Sequence, residues 1–207
     1  MRKSFLYITI GILFYLSSFF GDAYAKTETK LDTATFAAGC FWCVEAQFQI
    51  LDGVEKVVPG YTGGKVNTPS YRLVSTGNTG HAEAINIIYN PEIITYGTLL
   101  QAFFIAHDPT QLNRQGNDIG TQYRSAIYYH NETEKAQALY YIKRLNAEKV
   151  YPKAIVTEVV PYTRFYPAEA EHINYYQRNP EAAYCRYVIA PKMEEFQKIF
   201  KEKIKEN

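Results

Sequence analysis

Residues 36–45 read FAAGCFWCVE, and this segment sets the first strand, the first turn and the first helix of the chain. Small residues and a glycine end the apolar run and place Cys40 in the first turn of the helix. A helix N-terminus has unpaired N–H groups and a partial positive charge, which favour a thiolate and lower the pKa of its thiol. The segment therefore predicts either a reactive cysteine at position 40 or, in the simpler interpretation, a buried structural one.

The N-terminus has the pattern of a secretory signal peptide over residues 1–25. Two basic residues precede an uncharged apolar run at 5–20, and Ala-Tyr-Ala at 23–25 matches a small-x-small cleavage site. The alternative is a membrane anchor, but the run is shorter than the ~18 to 20 residues of a membrane span. We expect cleavage to leave one domain over residues 26–207, exported to the periplasm or secreted.

Charge and cysteine content argue against a nucleic-acid-binding protein and against a disulfide framework. The 22 basic and 21 acidic residues give a net charge of +1 and are spread along the chain, so nucleic acid is not expected as a partner. The three cysteines are an odd number for an oxidising compartment, and at least one thiol stays unpaired in a monomer. We therefore expect a monomer without a disulfide framework.

Apolar spacing along the chain changes between the period of a strand and that of a helix. Strands are predicted over residues 33–38, 54–61, 82–89 and 123–129, and the helices between them over residues 41–51 and 96–104. The order β-α-β-β-α-β predicts an α/β fold of the α+β type. It is a two-layer sandwich with a split-βαβ, ferredoxin-like core and a mostly antiparallel sheet.

A C-terminal helical extension is expected to follow this core. A third helix is predicted over residues 132–148, then a strand over 154–160 and two further helical segments. In the last of these, residues 192–205, the apolar side chains recur at helical spacing and should share one buried face: Met193, Phe196, Ile199 and Phe200.

Two long polar loops, residues 65–80 and 108–122, are candidates for function because loops of about 15 residues are uncommon as plain connections. Three acidic residues, Glu83, Asp108 and Asp118, lie at strand or loop ends where their carboxyl groups could converge near the cysteine. The simpler interpretation of each is a turn or capping carboxylate.

Seven short motifs together resemble one known family. They are GCFW (39–42), GYTGG (60–64), PSY (69–71), TGHAE (79–83), HDPT (107–110), QGND (115–118) and GTQYRS (120–125). Each is weak alone, but their order and spacing resemble the A-type peptide-methionine sulfoxide reductases over residues 35–185. That family reduces the S epimer of methionine sulfoxide.

The resemblance implies that Cys40 is the nucleophile and that Phe41 and Trp42 hold the S-methyl group of the substrate. It also implies that Glu83 donates a proton to the sulfoxide oxygen. The chemistry fits, because this oxygen leaves only once protonated and the donor must stay protonated near neutral pH. Burial raises the pKa of a carboxyl group in the required direction.

Further roles follow from the same resemblance. The hydroxyl groups of Tyr71 and Tyr123 assist the acid, and Asp118 orients this polar group. The substrates are oxidised proteins or peptides, and no bound cofactor is implied.

The sequence does not decide which cysteine resolves the sulfenic acid on Cys40. Cys185 resembles the C-terminal recycling cysteine of many relatives, although the tail after it has a helical pattern instead of a flexible Gly-rich one. Cys43 lies one helical turn from the nucleophile, at the spacing of Cys-x-x-Cys oxidoreductases. Either would form a disulfide that a thioredoxin-like dithiol protein must reopen.

Two other functions remain as alternatives. One is an exported thiol-disulfide oxidoreductase that uses Cys40 and Cys43, and it would need neither Glu83 nor the tyrosines. The other is a metal-binding module built from the cysteines and a histidine, although the chain has no His-x3-His spacing. The histidines concerned are His81, His107, His130 and His172.

Overall fold

The structure is a computed structural model that describes residues 30–206. The predicted signal peptide, residues 1–25, lies outside the described residues. Within residues 30–206 no helix combines the length and the apolar content needed to cross a membrane.

Strands and helices alternate up to residue 106, and after that the elements range from strands of two residues to a helix of 16 residues. The strands are β1 (Asp32–Ala38), β2 (Val54–Thr62), β3 (Ala82–Tyr89), β4 (Arg114–Gln115), β5 (Asp118–Ile119), β6 (Ser125–Tyr129), β7 (Glu158–Pro161) and β8 (Phe165–Pro167). The helices are α1 (Phe41–Gln49), α2 (Tyr71–Val74), α3 (Tyr96–Ala106), α4 (Glu132–Ala147), α5 (Tyr175–Arg178) and α6 (Ala190–Ile199). A π-helical turn, Cys185–Ile189, leads into α6.

The main sheet has the strand order β7-β6-β1-β3-β2-β8. Its pairs are antiparallel except for β6 and β7, which run parallel at one edge. The central order β6-β1-β3-β2 is what two crossing βαβ units joined by a hairpin produce, because each helix returns the chain past one intervening strand. The predicted α+β sandwich with a mostly antiparallel sheet is therefore confirmed.

The core forms where α1 and α3 pack on one face of the sheet. Phe36, Ile85 and Ile87 alternate along their strands toward these helices and are fully buried. Small residues on the opposite face, such as Ala37 and Ala84, form a thinner second cluster. The two-residue period therefore decides which side chains of β3 point toward α1.

The prediction for the C-terminal extension is right in type and wrong in detail. Met193, Phe196 and Phe200 are buried as predicted, but Ile199 is 52% exposed. Helix α6 ends at Ile199, and the residues after it form a 3-10 turn. The helix predicted over residues 192–205 therefore starts earlier and is shorter.

The predictions between residues 65 and 167 were incomplete. The first long loop contains α2, and the second contains the β4–β5 hairpin. The strand predicted from residue 154 begins only at Glu158, and β8 was not predicted. These elements have two to four residues, which is too short for an apolar period to be recognised.

Candidate active site

The turn between β1 and α1 requires glycine at position 39. Gly39 has φ +86°, and a Cβ atom on it would lie 2.7 Å from Cβ of Gln115. Only a residue without a side chain fits this left-handed conformation and this close approach. The turn delivers Cys40 to the N-cap of α1, directly before the first helical residue.

Glu83 reaches this helix end from the neighbouring strand. It has the same parity as Ile85 and Ile87, so its side chain lies on the face of β3 that α1 covers. Its Oε2 accepts a hydrogen bond of 3.0 Å from the backbone N–H of Phe41, the first residue of the helix. The side chain is 1% exposed, and burial raises the pKa of the carboxyl group to about 8. Glu83 is therefore protonated at neutral pH, as the sequence argument requires.

The pKa predicted for Cys40 was wrong in direction. Burial raises the pKa of this thiol well above its usual value. The neighbouring thiol of Cys43 and the charges of Cys43 and Glu83 act in the same direction, and only the hydroxyl of Tyr184 opposes them. The helix end does not compensate, because the side chain of Cys40 makes no capping hydrogen bond to the helix. The resting form of Cys40 is a neutral thiol that is 7% exposed.

The other two cysteines lie in the same apolar cluster as Cys40. The interaction with the neighbouring thiol of Cys40, together with the charge of Lys192, lowers the pKa of Cys43 although burial acts in the opposite direction. Cys185 is fully buried on the π-helical turn, near enough to Cys43 for a charge there to raise its pKa further. All three cysteines are free thiols.

Tyr71 and Tyr123 lie on two different loops, each near enough to Glu83 for its charge to affect the pKa of the phenol. Burial and the charge of Glu83 raise the pKa of Tyr71 to about 12 and also raise that of Tyr123, so both phenols stay protonated. Tyr71 begins α2, and its backbone N–H donates to Oε1 of Glu169 at 2.8 Å. The structure thus brings both predicted tyrosines to the thiol and the acid.

Phe41 and Trp42 form the aromatic wall predicted beside the thiol. Phe41 is buried in the main core, whereas Trp42 is partly exposed and stacks on Tyr175 with ring centroids 3.7 Å apart and an angle of 8°. The indole N–H of Trp42 donates to Nδ1 of His172 at 3.2 Å. The indole is therefore fixed on one face and at its polar edge.

Of the two other acidic candidates, Asp118 and Asp108, the structure places only Asp118 at the site. Asp118 lies at the site, where its Oδ2 accepts a hydrogen bond of 2.6 Å from the hydroxyl of Tyr184. Asp108 does not, because its carboxylate accepts hydrogen bonds from Thr110 and Gln111 within its own loop. For Asp108 the simpler interpretation of a turn carboxylate is correct.

A segment over residues 169–185, which we call the covering segment, contributes residues that sequence reasoning missed. Tyr184 contacts Cys43, and Glu169 binds both Tyr61 and Tyr71. Glu45 on α1 holds the segment, since its Oε1 accepts from the backbone N–H of Asn174 at 2.9 Å. The proximity of Tyr184 to Cys185 in the chain was an available signal, whereas nothing in the sequence indicated the other two residues.

All four histidines proposed for a metal site form hydrogen bonds with other groups, His172 with the indole of Trp42. His81 bonds to Gly64 and Val66, and His107 bonds to Phe103 and Ser125. His130 bonds to the hydroxyl of Thr35. Across residues 30–206 no three His, Cys, Asp or Glu side chains are grouped in a way that could hold a metal ion.

Comparison with known proteins identifies the family. The family model for peptide methionine sulfoxide reductase matches residues 32–204. Peptide methionine sulfoxide reductase MsrA of Thermus thermophilus is 52% identical over 170 residues, which cover 82% of this chain and 96% of the relative.

Solved structures agree with the match in sequence. Reduced Mxr1 from Saccharomyces cerevisiae is similar with a TM-score of 0.71 and 34% identity, covering 77% of this chain and 91% of that one. Mxr1 in complex with Trx2 gives a TM-score of 0.51 and 25% identity, covering 72% and 86% of the two chains. These relatives do not favour the oxidoreductase or the metal-binding alternative. From its sequence, its fold and these relatives, the chain belongs to the peptide methionine sulfoxide reductase family.

Proposed function

We propose that the chain reduces the S epimer of methionine sulfoxide through attack of the Cys40 sulfur on the substrate sulfur, with Glu83 as the acid. One observation carries this assignment: a buried carboxyl group with a pKa of about 8 is bonded to the backbone directly after the cysteine. A carboxyl group that stays protonated beside a thiol is suited to protonating a poor leaving oxygen.

The first step transfers the oxygen from methionine to the enzyme. The thiol of Cys40 loses its proton and attacks, while Glu83 gives a proton to the sulfoxide oxygen. The new bond between the two sulfurs and the S–O bond of the substrate then both break as the hydroxyl group passes to the Cys40 sulfur. Methionine leaves and Cys40 becomes a sulfenic acid, so methionine sulfoxide is reduced and the thiol is oxidised by two electrons. The proton released by Cys40 restores Glu83.

Tyr71, Tyr123 and the aromatic wall assist this step. Their raised pKa values keep both phenols as hydrogen-bond donors to the oxygen that accepts the proton. Trp42 offers its partly exposed ring to the S-methyl group, and the buried ring of Phe41 supports it from the core side. Asp118 holds the polar side of the site together through Tyr184.

Cys43 is our proposal for the thiol that first resolves the sulfenic acid. It lies in the same buried cluster as Cys40, and its lowered pKa makes its proton easier to remove during the attack. Cys185 is buried beside Cys43 and is placed to receive the disulfide from it by exchange. A thioredoxin-like dithiol protein then reduces the enzyme, in line with the complex of Mxr1 with Trx2.

One turnover with the serine variants of the three cysteines tests these roles. Cys40→Ser should form no methionine, and Cys43→Ser should form one methionine and accumulate a sulfenic acid that dimedone traps. Cys185→Ser should form methionine and a first disulfide at the rate of the unmodified chain, and turn over slowly with thioredoxin. Accumulation in Cys185→Ser instead of Cys43→Ser would reverse the order of the two resolving thiols.

Export is a second part of the proposal. It rests on the signal-peptide pattern of residues 1–25, which would leave the domain over residues 26–207 in the periplasm or outside the cell. N-terminal sequencing of the protein from its natural host should find Lys26 as the first residue. An intact Met1 in the cytoplasmic fraction would contradict export.

A further inference from the structure

The hydroxyl of Tyr184 stands between the active-site thiols and Asp118. It donates a hydrogen bond to Oδ2 of Asp118 over 2.6 Å and lies 3.9 Å from Sγ of Cys43. The ring meets Trp42 edge to face, with centroids 5.8 Å apart and an angle of 76°. The phenol is thus held at both its ring and its oxygen.

The direction of the two hydrogen bonds defines a chain for proton transfer. A phenol has one proton, and in Tyr184 it is donated to the carboxylate of Asp118. The bond to Cys43 must then be donated by the thiol, with the phenol oxygen as the acceptor. The order is therefore Cys43 S–H, Tyr184 O–H and the Asp118 carboxylate.

Tyr184 does not act as a base on its own. Burial, the nearby cysteines and the bond to Asp118 all raise the pKa of the phenol, so the phenolate is disfavoured. The hydroxyl can still pass a proton, by giving its own to Asp118 as it accepts one from the thiol. This exchange creates no charge on Tyr184.

We propose that Tyr184 is a catalytic residue of disulfide formation, relaying the proton of Cys43 to Asp118 while Cys43 attacks the sulfenic acid on Cys40. The S–S bond forms, the S–O bond of Cys40 breaks, and the leaving hydroxide takes a proton from Glu83 to become water. Cys43 is oxidised and the sulfenic sulfur is reduced. Asp118 ends protonated and Glu83 ionised, and solvent restores both. The inference rests on the proposed role of Cys43 as the resolving thiol.

Tyr184→Phe tests the relay because it keeps the ring against Trp42 and removes only the hydroxyl. After one turnover under dimedone-free conditions, we expect the rate of disulfide formation, relative to that of methionine formation, to fall by about a hundredfold. Dimedone added late should then trap a sulfenic acid on Cys40. Tyr187→Phe is the matched control, since Tyr187 is 75% exposed and should leave both rates unchanged.

The pH dependence separates a relay from a purely structural role. Without the relay, solvent hydroxide must remove the proton of Cys43, so disulfide formation in Tyr184→Phe should accelerate about tenfold per pH unit below the pKa of that thiol. The unmodified chain should depend less steeply on pH. Asp118→Asn combined with Tyr184→Phe should slow this step no more than Tyr184→Phe alone, because both changes interrupt one chain.

Two results would overturn the inference. One is that the disulfide forms as fast in Tyr184→Phe as in the unmodified chain, in a variant whose thermal unfolding transition shows that it is folded. The other is an equal pH slope in the two proteins. A fast disulfide in Cys43→Ser would be a different failure, because it would remove Cys43 from the proposed reaction whatever Tyr184 does.

Discussion

The two sides of the active site are built in different ways. Cys40 and Glu83 belong to α1 and β3, and their positions follow from the sheet pairing and the helix start. The covering segment, residues 169–185, has 3-10 and single-turn helical pieces and a left-handed Asn174. Side-chain bonds to residues more than 60 positions away hold it in place, among them those of Glu45 and Asp118.

This difference assigns different tasks to the two sides. Regular elements fix the thiol and the acid, because many backbone hydrogen bonds determine their separation together. The covering segment closes the site through a few separate contacts, each of which can break alone. Changes on the regular side should therefore affect reduction of the substrate and folding, whereas changes in the covering segment should affect substrate binding, pH response and the later disulfide steps.

The largest effect is expected from Glu83→Gln on the regular side. Glutamine keeps an acceptor for the N–H of Phe41 but cannot donate an acidic proton, so methionine formation should slow by about 10² to 10⁴. The measurement is the rate of a single turnover. Glu55→Gln, an exposed carboxylate on β2, should change little.

The same variant should alter the pH profile. The reactive form has one proton on Glu83 and none on Cys40, and burial raises both pKa values, that of Glu83 to about 8. In the unmodified chain the rate should rise toward pH 8 and level off above it. In Glu83→Gln it should continue to rise, since only the thiol titrates, and a break near pH 8 in this variant would contradict the assignment.

Gly39→Ala should give the next largest effect, on folding. A side chain at φ +86° is strained, and its Cβ would overlap Gln115, so we expect a loss of about 4 kcal/mol in the free energy of unfolding. Gly116→Ala separates the two causes, because Gly116 has φ +61° and a Cβ added to it would meet no atom within 4 Å. It should cost about 1 to 2 kcal/mol. Equal losses in denaturant unfolding would show that the overlap is relieved.

Glu45, which binds the covering segment, should make the free energy of unfolding depend on pH. It is 1% exposed, and burial raises the pKa of its carboxyl group to about 7. The folded chain therefore keeps a proton that the unfolded chain releases above about pH 4.5. Stability from this group is complete below that pH and is lost as pH rises through 7, by about 3 kcal/mol.

Glu45→Gln should remove this part of the pH dependence while keeping an acceptor for Asn174. Urea unfolding under reducing conditions at pH 5 and pH 8 should show a smaller fall in the variant. Glu92→Gln, an exposed carboxylate before α3, should keep the full fall. An unchanged fall in Glu45→Gln would mean that the carboxyl group is ionised in the folded chain.

The smallest effect is expected from Tyr175→Ala in the covering segment. Removing the ring that stacks on Trp42 should cost about 1 kcal/mol, or about fivefold in KM, with little change in kcat. Steady-state kinetics with a methionine sulfoxide peptide measure it. Tyr187→Ala should leave KM unchanged, and a large fall in kcat for Tyr175→Ala would place the stack in the chemical step.

Local sequence patterns were sufficient to predict the central fold and the position of the Cys40 thiol at a helix start. The apolar period and the Gly-Cys turn predicted β1, α1 and β3 within a few residues, and the motifs directed attention to Cys40 and Glu83. The same patterns did not predict α2, the β4–β5 hairpin or β8. These short elements exist because neighbouring parts of the chain hold them, which a local period does not encode.

The amino-acid order alone thus predicted the β-α-β-β-α-β core and the glycine turn, and it proposed Cys40 and Glu83 as the reacting groups. Only the tertiary structure determined which of these groups are protonated and which side chains contact them. Burial keeps Cys40 as a thiol and Glu83 protonated, and Tyr184 reaches Cys43 from 141 positions away. The physical reason is that burial and hydrogen bonding between distant residues control a pKa, and neither is visible in the order of the residues.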